Sequence, residues 1–148
     1  MNEEKYFECL GEIWRDVTAI EFLMRCAVAK YNGEESKFPL PPYTKGKIYD
    51  NPPKIFLEMS FGKVMKKFNE LFPDIYMPEE LKNLRNAMAH GVIASVNGKT
   101  EQLIKFKKNN EDKVLIEFSL LLELRRLEGI RISVRNLRIH VMQKINNM

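Results

Sequence analysis

The sequence predicts a mainly α fold: a helical bundle with a small antiparallel β-hairpin inserted before the last long helix. Three observations carry this. Two long segments, about residues 3–31 and 120–146, repeat apolar residues at spacings of three and four. Two shorter helical patterns lie between them. After Gly91 the pattern changes to short β-prone runs separated by turn-forming residues.

In the first segment Phe7, Leu10, Trp14, Val17, Met24 and Tyr31 form one stripe, and Ile13, Ile20 and Ala27 add a second. So wide an apolar face predicts contact with more than one neighbour. Gly11 costs roughly 1 kcal/mol against alanine in a helix, so it is read as the mark of a close helix crossing. Asn32-Gly33 is placed to stop the helix. Residues 32–55 then read as a Pro-rich loop, because Pro39, Pro41, Pro42, Pro52 and Pro53 preclude regular helix or central strand. Its aromatics Phe38, Tyr43 and Tyr49 predict partial packing. Lys45 and Lys47 can reach a phosphate backbone, although a solvated loop is the plainer reading.

A second helix is expected over 57–72, with Val64, Phe68, Leu71 and Phe72 apolar and Pro73 ending it. Pro78 opens a third in its first turn, where Glu79 and Glu80 suit the dipole. Leu81, Leu84 and Met88 make its core stripe, and Gly91 terminates it. Val92–Val96, Gln102–Lys107 and Val114–Phe118 predict a two- or three-stranded antiparallel sheet, the 92–118 insertion. Asn97-Gly98 is a strong hairpin signal, and Asn109-Asn110-Glu111-Asp112 supplies a second turn. The final helix carries Leu120, Leu124, Leu127, Val134, Leu137, Val141 and Ile145.

The composition bounds the rest. At 148 residues, 45% hydrophobic and 30% charged, the chain suits a single domain spanning 1–148. No apolar run approaches the roughly 20 residues of a membrane span. Met-Asn-Glu-Glu-Lys lacks the layout of a signal peptide, so a cytoplasmic protein is expected. Cys9 and Cys26 lie 17 residues apart in one helix, about 25 Å along its axis. They cannot bridge each other and are read as reduced, unreactive thiols. With two histidines and two cysteines spread along the chain, nothing has zinc-site spacing, and neither metal nor cofactor is expected. No glycine-rich phosphate loop is present. The carboxylate pairs Glu3-Glu4, Glu34-Glu35 and Glu79-Glu80 are adjacent, not convergent. A net charge of +4 permits a nucleic-acid partner without demanding one.

Both histidines close the pattern Arg-Asn-x-x-x-His: Arg85-Asn86-Ala87-Met88-Ala89-His90, and Arg135-Asn136-Leu137-Arg138-Ile139-His140. Arginine binds phosphate through a planar fork, and histidine moves protons near neutral pH. The pattern therefore suits a phosphodiester. On an ideal helix, residues five apart diverge by about 140°, whereas residues four apart share a face. Arg85 and His90 thus diverge, and Asn86 and His90 do not. In the first copy His90 sits at the helix end, on a non-core face, with small spacers Ala87 and Ala89. On spacing alone it reads as a surface histidine answering the helix dipole. The second copy lies mid-helix with bulky spacers, and His140 is not expected to be catalytic. Arg131, Arg135 and Arg138 form a basic stripe beside the core face. They can contact an RNA backbone, or simply cover apolar surface with their stems.

The segment Leu81-Lys82-Asn83-Leu84-Arg85-Asn86-Ala87-Met88-Ala89-His90-Gly91 resembles the signature of HEPN domains, in which an arginine and a polar residue precede a histidine late in a helix. The likeness is specific over these eleven residues; elsewhere it extends only to helical character. It implies a HEPN-like helical bundle and a metal-independent endoribonuclease acting in defence or as a toxin held by an antitoxin or regulatory protein. It also implies a homodimer whose two motifs share one cleft. His90 would then serve as acid/base, Arg85 would hold the phosphate, and Asn86 would orient the histidine or the phosphate. The alternative is a non-catalytic HEPN-like module that binds RNA, a nucleotide or a partner protein.

Overall fold

The computed structural model describes residues 3–39, 41–96, 98 and 100–148. The elements run α1 (Glu3–Tyr31), α2 (Phe61–Leu71), α3 (Glu79–His90), β1 (Val92–Val96), β2 (Thr100–Asn110), β3 (Lys113–Leu121) and α4 (Leu124–Asn146). Short 3-10 turns occupy Glu35–Lys37, Lys54–Leu57 and Pro73–Ile75. The chain divides into two compact units, one from residues 1–17 and 78–136, the other from 18–77 and 137–148.

The first unit contains the sheet. Its order is β1-β2-β3, antiparallel throughout, with Val92 opposite Ile104 and Leu103 opposite Leu120. Helix α3 lies against β2 and β3. The core gathers Tyr6, Ile13 and Val17 from α1, Leu81, Leu84 and Ala87 from α3, Leu103, Leu120 and Leu122 from the sheet region, and Leu127 and Val134 from α4. The Tyr6 hydroxyl donates to Glu101, tying α1 to β2. Gly98, between β1 and β2, has φ +66°, a conformation glycine adopts without cost. Asn97, the other half of that turn signal, lies outside the described residues, as do Met1 and Asn2 of the N-terminal pentapeptide.

This sheet corrects the expected fold class. The protein is mainly α, 60% helical, and the sheet precedes the last helix. It is not a helical bundle with a hairpin added. Three strands of 5, 11 and 9 residues form a meander, and the sheet supplies part of the core against which α3 packs. The strands run further than 102–107 and 114–118 because cross-strand pairing continues through polar positions such as Lys107 and Lys108. The apolar run at Leu120–Leu122 matched a helical stripe, but Leu120 belongs to β3, and the helix starts at Leu124.

In the second unit, Phe61, Val64, Met65 and Phe68 of α2 are buried, as are Ile20, Met24, Ala27 and Val28 of α1 and Phe72, Met77 and Val141. The Ser60 side chain accepts from the Lys63 amide and caps α2. The helix therefore begins at Phe61 rather than 57, and Leu57 falls in a 3-10 turn. Asn69 closes the following turn at both ends of a peptide unit: its Oδ1 accepts from Met77 N at 2.7 Å and its Nδ2 donates to Met77 O at 3.0 Å. The described residues of 32–55 are irregular apart from the 3-10 turns at Glu35–Lys37 and from Lys54 onward. Phe38 packs on Phe56, Tyr49 donates to Pro42 O, and Tyr43 is exposed.

Helix α1 has the expected span and buries part of the expected wide face. Ile13, Val17, Ile20, Met24 and Ala27 are buried, whereas Phe7, Trp14 and Tyr31 are exposed. Its end is a Schellman turn: Gly33 N donates to Lys30 O, Glu34 N donates to Ala29 O, and Gly33 has φ +72°. Gly11 marks no close crossing, since a Cβ there would meet nothing within 4 Å.

Candidate functional site

The candidate site lies at the C-terminal end of α3. Pro78 is the N-cap, just ahead of the first turn, and Leu81 N donates to its carbonyl at 3.0 Å. Glu79 and Glu80 face the positive end of the helix dipole, and Lys82 pairs with Glu79. Leu81, Leu84 and Ala87 recur at intervals of three and fix the helix rotation by burying one edge. Ala87 takes the place in the core stripe expected for Met88, which is only half-buried. Ala87 is thus a contact of the fold and not an opening for a ligand; Ala89 is exposed.

Gly91 ends the helix by steric necessity. Its amide donates to Ala87 O at 2.7 Å, and its backbone is extended at φ −86°, ψ −176°. A Cβ there would stand 2.4 Å from Ala87 O and 2.5 Å from Ile104 O. Both are main-chain atoms, so no side chain can move aside. The glycine allows the chain to leave α3 and enter β1 directly alongside β2. One consequence is the position of His90: the last helical residue, exposed, on a corner between helix and sheet.

Arg85 and Asn86 are half-buried one turn earlier, with Arg85 Nη1 donating to Asn86 Oδ1 at 3.5 Å. The structure therefore brings Arg85 and Asn86 into contact and holds His90 at the open end of the same helix. A guanidinium, a carboxamide and an imidazole in this order offer a phosphate clamp and a proton carrier. Their five-residue offset turns Arg85 and His90 to different sides of the helix.

The basic stripe has another character. Arg131 Nη1 lies 3.3 Å and Arg135 Nη2 3.9 Å from the same oxygen, Glu12 Oε2 on α1. Glu12 was missed in the sequence, although Glu8 and Glu12, four residues apart, form an acidic stripe on α1. Arg131 also borders a 290 Å³ cleft with Lys5, Glu8, Cys9, Glu12 and Glu128. Three carboxylates against two cations give that cleft a field that does not favour a phosphodiester. Burial pushes the Cys9 thiol above its ordinary value despite the opposing Arg131 charge. Burial likewise raises Cys26 to about 11. Both are free thiols, protonated at neutral pH and poor nucleophiles.

Arg138 and His140 belong to the second unit. Arg138 is half-buried. His140 is exposed at a 520 Å³ cleft shared with Asp74, Tyr76, Leu137, Gln143 and Lys144. The cations here serve the fold: Lys144 donates to Asp74 Oδ2 at 2.9 Å, and Lys30 donates to Ile145 O at 3.3 Å.

No family model, curated protein or solved structure matches this chain. The likeness to HEPN domains therefore rests on the sequence of residues 81–91 alone. Among the described residues, no group of three or more His, Cys, Asp or Glu is placed to hold a metal ion. No described helix is long and apolar enough to cross a membrane.

Proposed function

We propose that the protein is a HEPN-type, metal-independent endoribonuclease, acting as a defence or toxin–antitoxin effector in the cytoplasm. The observation that supports this best is the exposed His90 at the end of α3, one turn from the Arg85–Asn86 contact. The reading rests on this motif and its setting, not on the bundle architecture that the sheet replaces.

In the proposed reaction the ribose 2′-oxygen attacks the adjacent phosphorus. The 5′-oxygen of the next nucleotide leaves, giving a 2′,3′-cyclic phosphate and a free 5′-hydroxyl. His90 moves the proton, Arg85 binds the phosphate and its developing charge, and Asn86 orients the pair. Because Arg85 and His90 diverge on one helix, the working site joins His90 of one protomer with Arg85 of another in a homodimer. RNA is the substrate, and an antitoxin or regulatory protein holds the activity in check.

The test is incubation of mixed RNA with wild-type protein, His90→Ala and Arg85→Ala in EDTA, with product ends identified. A positioned acid/base contributes typically ~10²–10⁴-fold, so His90→Ala should lose at least about 100-fold with its circular dichroism unchanged. Equal cleavage by all three proteins would trace the activity to a contaminant. RNA binding without cleavage by wild type would favour the non-catalytic module.

A further inference from the structure

The outer part of β3 is an anomaly for a surface strand. β3 is an edge strand in the order β1-β2-β3, and Val114, Leu115 and Ile116 are 66%, 49% and 48% exposed. Facing them across the strand pair, Phe106 opposite Ile116 is also exposed. Natural proteins blunt such edges, because the unpaired N–H and C=O groups template pairing with another chain.

Here the edge carries its own complement. Residues 113–117 read Lys-Val-Leu-Ile-Glu. In an antiparallel pair of two such strands centred on Leu115, Lys113 stands opposite Glu117 of the second copy. Val114 stands opposite Ile116, and Leu115 opposite itself. Every register one residue away sets Lys113 or Glu117 opposite an apolar side chain. Cross-strand charge pairs and apolar pairs favour the matched register. The other edge, β1, reads Val-Ile-Ala-Ser-Val and carries no charge with which to select a partner or a register.

We propose that the free edge of β3 pairs with the β3 edge of a second copy of this chain, about a two-fold axis at Leu115. The row that begins with Phe106 and Ile116 then continues into Val114 of the second copy, covering apolar surface on both. Glu117 already accepts from Lys105 of its own chain, and its side chain stays 37% exposed. Its carboxylate has oxygens enough for a second lysine. The register shift between Lys105 and Phe106 leaves Glu117 as the extra residue in β3. Such a bulge ends regular pairing beyond Glu117 and favours a closed pair over an open fibre.

The contact does not depend on the ribonuclease reading. It makes a six-stranded sheet with the two β1 strands outermost, five spacings or about 24 Å apart. It is therefore not the contact that would join two copies of the His90 site. Five paired residues make a small interface, so association is expected at about 10–100 µM.

The experiment is sedimentation equilibrium of the full chain from about 5 to about 200 µM, bracketing that range. Wild type should be a dimer at the high end, or a tetramer if the His90 contact forms as well. Leu115→Lys, which sets two like charges on the axis, should halve that mass with unchanged circular dichroism. Lys113→Glu and Glu117→Lys should each weaken association at least about tenfold. An equimolar mixture of these two variants should regain it, because each then meets the opposite charge on the other chain. Monomeric wild type at the highest concentration, an unchanged mass for Leu115→Lys, or a mixture that stays dissociated would each overturn the proposal. Loss of association in the variants with ribonuclease activity retained would separate this interface from the His90 site.

Discussion

The two copies of Arg-Asn-x-x-x-His share their letters and an exposed histidine, but differ in where the helix puts them and in what their arginines meet. At the end of α3, the helix stops against a sheet, and His90 is exposed beyond the last buried residue, Ala87. On α4 the surrounding groups are committed to structure. Lys144 pairs with Asp74 and lies 5.8 Å from the Phe72 ring centre, Arg135 faces Glu12, and Leu137 is half-buried. A sequence pattern becomes a candidate site when the fold brings its polar groups together at an open helix end, as with Arg85, Asn86 and the exposed His90. Inside a continuous helix the same letters are separated: Arg135 turns to Glu12, whereas His140 stays exposed mid-helix.

The comparison can be broken in several ways. The largest expected effect is on cleavage: Arg85→Ala, like His90→Ala, should reduce the initial rate at least about 100-fold, as for loss of one transition-state hydrogen-bond donor. Arg135→Ala should leave that rate within about twofold, since its partner is Glu12. Equal losses in the two variants, followed with a fluorescent RNA, would erase the distinction.

The glycines sharpen it next. Gly91→Ala drives a Cβ into two main-chain oxygens, and urea unfolding should show a loss of about 2–4 kcal/mol, the range of severe core and backbone changes. Gly129, within α4, has open space around its missing Cβ. Gly129→Ala should therefore stabilise by about 0.5–1 kcal/mol. If both substitutions shifted the midpoint in the same direction, the steric account of the α3 end would be wrong.

The smallest effect concerns pH around the second copy. The hydrogen bond from Lys144 holds the Asp74 carboxyl below its usual range. A depressed folded-state value means the pair stabilises the fold above the unfolded value near 4 and loses that contribution as pH falls below it. Lys144→Ala should return Asp74 to an ordinary titration, read by NMR of its carboxyl carbon. No movement of that titration would show that Lys144 does not hold the group.

Much of the fold was legible, and the failures have causes. The three- and four-residue spacing located α1 from Glu3 to Tyr31, and Asn32-Gly33 located its end. It included the buried face without narrowing it, because α1 is apolar on two stripes, and neighbours decided between Trp14 and Ile13. The sheet was underestimated because β2 is rich in lysine and asparagine in its outer half. Such residues continue a ladder through backbone bonds that no apolar alternation announces. Gly91 was read as the end of α3, but the close backbone approach was placed at Gly11, from a cost argument that applies to any helix, whereas it occurs at Gly91. Nothing local in the sequence indicates that Ile104 O will lie beside that residue. The candidate site itself was read from residues 81–91, but Ala87 changed from an opening to a core contact once α3 met the sheet.

The central claim is that one copy is a site and the other is not, and the most direct measurement sets His90→Ala beside His140→Ala. Purified proteins are incubated with RNA in EDTA, and the products are examined for 2′,3′-cyclic phosphate ends. Wild type and His140→Ala should produce those ends at rates within about twofold of each other, with His90→Ala at least about 100-fold slower. Cleavage by His90→Ala at the wild-type rate, or equal loss in both variants, would contradict the account.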